Sequence, residues 1–196
     1  MIKMERIIGK QKANKLLMDG VLAKDSSLVL EAIKKGANIE CADKEGQTPL
    51  MFAASKGPLK IARLLLEKGA DIEAMNIDGL TPLMFAAMGS RAQMTELLLE
   101  KGANVNETDN IGLTPLMHAI INSRRRSAMA IIRAGADLNA TTKEGRNAMY
   151  YSPTPAFYFS LLDHSNAILE DSQKESIDRA NAVSEIIDGL EKDLRK

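Results

Sequence analysis

The chain has 196 residues, with 26 Lys plus Arg balanced by 26 Asp plus Glu, so no global charge draws it to nucleic acid or to an acidic membrane surface. Apolar residues make up 45%, too many for a disordered chain. Aromatics make up only 4%, so Leu, Ile, Ala and Met must build the interior.

The first residues, "MIKMERIIGKQKANK", lack the apolar stretch of a signal peptide, and no run of about 18 apolar residues follows anywhere. The expected location is cytoplasmic, with no membrane contact. "LVLEAIKKGANIE" then gives a helix that ends at Gly36. From here the chain repeats itself. "GQTPLMFAAS" begins at Gly46, "GLTPLMFAAM" at Gly79, "GLTPLMHAII" at Gly112, and a worn copy, "GRNAMYYSPT", at Gly145. Each step is 33 residues. "KKGAN", "EKGAD", "EKGAN" and "RAGAD" place Gly36, Gly69, Gly102 and Gly135 on the same step. A fixed period of this size predicts stacked repeats rather than one globular core.

Within the first full unit, Thr48 can cap a helix and Pro49 suits its first position, where a missing N–H costs nothing. Leu50, Ala53 and Ala54 follow at helical spacing, and Gly57 ends the helix. Ile61, Leu64, Leu65 and Leu66 predict a second helix, after which Gly69 suits a left-handed turn. "ADIEAMNIDG" reads as an extended turn into the next unit. The alanine pairs Ala53–Ala54 and Ala86–Ala87 allow close approach of neighbouring helices. In the worn unit, "YYSPTPAFYFSLL" predicts a short first helix and a distorted second one around residues 157–162. Beyond it, Ile177, Ala180, Val183, Ile187, Leu190 and Leu194 form one stripe on an amphipathic helix over 166–196. The stripe suits packing against the last repeat, or pairing with a partner or a second copy.

With these motifs assembled, "DKEGQTPLMFAASKGPLKIARLLLEKGADIEAMN" (residues 43–76) resembles the ankyrin-repeat family. The resemblance covers 42–140 closely, 9–41 in part, and fades beyond 147. It implies an all-α solenoid of stacked helix-loop-helix units with β-turn tips. The organisation is an N-terminal segment and capping repeat (1–41), repeats at 42–74, 75–107 and 108–140, a degenerate repeat (141–165) and the C-terminal helix. Lys10, Lys12 and Lys15 would lie on the cap's outer face. The family usually has His after Thr-Pro-Leu. Met51, Met84 and Met117 stand there, implying thioether packing in place of that histidine's hydrogen bonds.

Little in the chain points to catalysis, a cofactor or a metal. There are two histidines, His118 and His164, and one cysteine, Cys41, without metal-ligand spacing. Cys41 aligns with Ala74 and Ala140 and reads as a small buried filler. "RRR" at 124–126 falls in the loop between the two helices of its unit, where it suits a solvated corner or a phosphate. The expected function is non-catalytic binding of a protein partner. By register, the variable positions lie at the tips and on the inner helices. Ile77, Leu80, Ile111 and Leu113 are apolar at tips that water should favour as polar. Met88 and Ile121 extend them, Phe52, Phe85 and His118 form the groove floor, and Arg146 and Tyr151 lie at the last unit. An apolar centre with a charged rim is how protein-binding surfaces are built. Self-assembly through the C-terminal helix is the alternative.

Overall fold

The computed structural model describes residues 2–166, with side chains from Ile7 to Leu161. The apolar stripe from Ile177 to Leu194 lies outside the described residues. The chain opens with α1 (Ile2–Leu22) and α2 (Ser26–Lys34). Asp25 starts α2, its carboxylate accepting the N–H groups of Ser27 and Leu28 at 2.8 and 3.3 Å.

Three helix pairs follow: α3 (Pro49–Lys56) with α4 (Leu59–Glu67), α5 (Pro82–Met88) with α6 (Ala92–Glu100), and α7 (Pro115–Ile121) with α8 (Arg125–Arg133). Each first helix begins at a Thr-Pro pair. The hydroxyls of Thr48, Thr81 and Thr114 accept the N–H of Met51, Met84 and Met117 at 3.4, 3.4 and 3.3 Å. At the first of these the thioether does more than pack. Thr48 N–H points at Met51 Sδ, 3.3 Å away, so the sulfur takes a helix-end donor that would otherwise lack a partner.

The helices form two layers. α1, α3, α5 and α7 pack side by side, and α2, α4, α6 and α8 back them in the same order. Leu50, Leu83 and Leu116 are buried at equivalent places, and Ala53, Ala86 and Ala119 sit buried where the inner helices meet. The apolar core thus runs along the stack rather than inside any one unit, in two clusters, the first from Leu17 to Ala103 and the second from Ala87 to Leu161, as a repeat too small to bury its own faces requires.

Polar bonds repeat with the same period. At each tip a side chain holds the turn. Asp43, Asn76 and Asp109 each accept two backbone N–H groups through Oδ1, at 2.8–3.1 Å. Neighbouring tips then bond through the backbone: Ile77 N–H to the Glu45 carbonyl, Asn110 to Asp78, and Lys143 to Ile111, at 3.0, 3.0 and 3.3 Å. Gly79 and Gly112 show why the tip glycine recurs. Both have positive φ, 78° and 88°, and an added Cβ would come within 2.8 Å of Asn110 at the first and 2.9 Å of Thr142 and Lys143 at the second. On the other side of the turns, Glu40, Glu73 and Asn106 accept the N–H of Asp71, Asn104 and Asp137 in the following unit, at 2.9, 2.7 and 2.8 Å.

The last unit departs from the expectation of a short first helix. Residues 148–151 form a turn, preceded by an isolated bridge between Thr141 and Asn147. Asn147 and Ala148 occupy the Thr-Pro register; Asn147 Oδ1 accepts the Tyr150 N–H at 3.2 Å, as the threonines accept theirs, but no proline follows it. The Thr-Pro signal instead appears at Thr154–Pro155. There the Thr154 hydroxyl accepts the Phe157 N–H at 3.1 Å and a regular helix, α9 (Pro155–Asn166), begins. It packs on α8, burying Tyr158 and Leu161. Burial pushes the Tyr158 phenol up to about 12.

Candidate protein-binding surface

The tip ladder sets Ile77 and Ile111 in adjacent turns. Their side chains are 65% and 61% exposed, and Asn110 Nδ2 donates to the Ile77 carbonyl at 2.8 Å, fixing one tip against the next. Leu80 is half-buried beside them. On the inner helices Phe52, Phe85 and Met88 are half-buried, while Ile121 is 43% exposed. Phe52 and Phe85 both lean on the first core cluster, so the floor of the surface is continuous with the core.

The far end is polar and aromatic. Arg146 is exposed, its guanidinium 4.6 Å from the Tyr150 ring centre and 2.8 Å from Glu144 Oε2. Tyr150 meets the half-buried Tyr151 edge-on at 5.2 Å. Tyr150 stands in the register of the buried Met51, Met84 and Met117, yet it is 61% exposed because the helix that would bury it is missing.

A family model for ankyrin repeats, three copies long, matches residues 17–109 and 72–142, together more than half of the chain. The chain belongs to the ankyrin-repeat family. Repeats of this family are generally protein–protein interaction modules. Among curated proteins, none matches the sequence.

Two residues expected on the ankyrin surface lie elsewhere. Leu113 is 7% exposed: Asp109 Oδ1 pins its N–H at 2.8 Å, and its side chain joins the second core cluster with Leu116 and Ile120. His118 is 8% exposed and forms no groove floor. Its Nε2 lies 2.9 Å from Asp109 Oδ2, so the imidazole is drawn beneath the tip. Burial holds the His118 pKa below its usual value, outweighing the opposite pull of Asp109. The expectation of a groove-floor residue missed the carboxylate nine residues earlier. The Asp43–Asn76–Asp109 series, itself on the 33-residue step, is the signal that points to it.

The arginine run also resolves differently from a solvated corner. Arg125 and Arg126 belong to α8 rather than to the loop. Arg124 Nε donates to the Met88 carbonyl at 3.0 Å, and Arg125 donates to Ser160 Oγ and to the Ser160 carbonyl at 2.7 and 3.2 Å. Two of the three guanidiniums therefore tie units together. Cys41 is buried, and burial raises its thiol pKa. Among the described residues no group of three or more His, Cys, Asp and Glu is placed to hold a metal. Among the same residues no helix is long and apolar enough to cross a membrane.

Proposed function

We propose that this ankyrin array is a non-catalytic binding module that holds one protein partner along its inner-helix face. The observation that carries the reading is the pair of exposed isoleucines, Ile77 and Ile111, on neighbouring tips whose solvated positions favour polar side chains. Phe52, Phe85, Met88, Leu80 and Ile121 extend the apolar centre, and Lys44, Glu45, Lys143, Glu144 and Arg146 form a charged rim. Leu113 and His118 drop out of the contact set because they are buried. The binding step makes and breaks no covalent bond; the partner's surface is occupied or presented.

The test compares two baits for capture from lysate of the source cells, read by mass spectrometry. One is the intact chain; the other carries Ile77→Asp and Ile111→Asp, with helicity matched by circular dichroism. A partner held by the first and lost by the second supports the reading. Retention of the same partner by both baits sinks it and moves attention to residues 166–196. Capture of nothing but further copies of the chain favours the self-assembly alternative.

A further inference from the structure

At the N-terminal end of the inner-helix face, a cleft of about 280 Å³ opens between the end of α1 and the end of α3. Val21, Leu22 and Phe52 supply its apolar lining, and Lys24, Lys56 and Ser55 its polar edge. No acidic side chain lines it. Both lysines are exposed, and among the described residues neither forms an ion pair. The nearest acid in sequence, Asp25, is committed elsewhere, capping α2 through two backbone N–H groups.

The walls are fixed before anything binds. Lys24 sits at φ 59° in a turn closed by its own N–H to the Val21 carbonyl at 3.1 Å and by Asp25 N–H to the Gly20 carbonyl at 2.8 Å. On the opposite wall, Arg91 Nη1 donates to the Gly57 carbonyl at 3.1 Å and holds the loop that follows Lys56. Phe52 belongs at once to this cleft and to the apolar strip described above. A ligand on the strip therefore reaches the lysines without leaving the surface.

We infer that the cleft takes an acidic segment of the partner, with one apolar side chain seated on Phe52 and Leu22 and an Asp or Glu carboxylate facing Lys24 and Lys56. The inference rests on the binding reading above and adds the partner's chemistry and polarity: its acidic part lies at the α1 end of the array. Unpaired positive charge beside an apolar floor selects for such a segment and against basic ones. Two lysines at one cleft, in a chain with no charge excess, do not make the basic track that a nucleic-acid backbone needs.

The probe is a random library of short peptides displayed on phage, panned on the intact chain, on Lys24→Glu/Lys56→Glu and on Ile77→Asp/Ile111→Asp. All substituted positions are exposed, and matched helicity checks the folding of each variant. The intact chain is expected to enrich peptides with Asp or Glu next to a large apolar residue. Charge reversal should weaken them about tenfold by fluorescence anisotropy, as should added salt. Enriched peptides without acidic residues, or peptides indifferent to the charge reversal, overturn the inference. So does enrichment of nothing, or a labelled single-stranded oligonucleotide bound through the same lysines in place of peptide. The two readings separate cleanly. Peptides lost only on the tip variant leave the binding reading standing without the acidic cleft, and peptides lost only on charge reversal do the reverse.

Discussion

The third repeat and the last unit begin alike and end differently. "GLTPLMHAI" folds into α7 and fills the inner layer, whereas "GRNAMYYSP" one period later forms only turns. Both tips are bonded to their neighbours, both have a glycine at positive φ, and both lie on the same core. The difference lies in the helix start. Thr114 and Asn147 each accept the N–H three residues on, but Pro115 gives α7 a pre-set first turn where the last unit has Ala148, and Ser152–Pro153 follow too soon for a helix to pass. Stacking alone does not make an inner helix here; the local start signal is also needed.

The largest break in this comparison comes from the core positions. Leu116→Ala removes a fully buried side chain and should cost about 2–5 kcal/mol, whereas Met149→Ala, at the same register in the last unit, is half-buried and should cost below about 1 kcal/mol. Urea unfolding followed by circular dichroism measures both. Equal losses would mean that the last unit is as tightly packed as the third. The next effect is at the caps. Thr114→Ala should cost about 1 kcal/mol and Asn147→Ala a few tenths, because only the threonine starts a helix. A larger loss at Asn147 would show that its turn carries the end of the array.

The smallest effect concerns His118, which has Phe52 and Phe85 as its counterparts. Its pKa is lowered in the folded chain, so the unfolded chain takes up the proton first as pH falls. The stability it contributes is present above about pH 6.5 and is lost as pH falls through the lower folded value. The melting temperature of the intact chain should therefore drop more steeply between about pH 7.5 and 5.5 than that of His118→Phe. Parallel slopes would mean that the imidazole titrates alike in the folded and unfolded chains, and a shallower slope for the intact chain would place the proton on the folded imidazole as an ion pair with Asp109.

The regular units were legible in the sequence because their signals are local. A Thr-Pro pair, an apolar helix face and a glycine at the turn act within a few residues, and the period multiplies them. The surface was less so. Leu80 and Leu113 share one register, and only the packing distinguishes the half-exposed residue from the buried one. The place of His118 depends on Asp109, a carboxylate already engaged by two amides. The last unit misled most. It read as a short first helix and a distorted second one around 157–162, whereas Thr154–Pro155 is the same start signal moved along the chain, and the regular α9 begins where it stands.

That displacement bears on how such a chain can lengthen. An array grows by copying one 33-residue period, since each copy offers the next a tip, an inner helix and an outer helix. The final unit offers a tip and an outer helix only. A duplicate inserted after it would find no inner helix to stack on, whereas a duplicate of 75–107 placed between its neighbours would find both. New repeats, whether added by evolution or by engineering, therefore belong ahead of the last unit, in the interior of the stack.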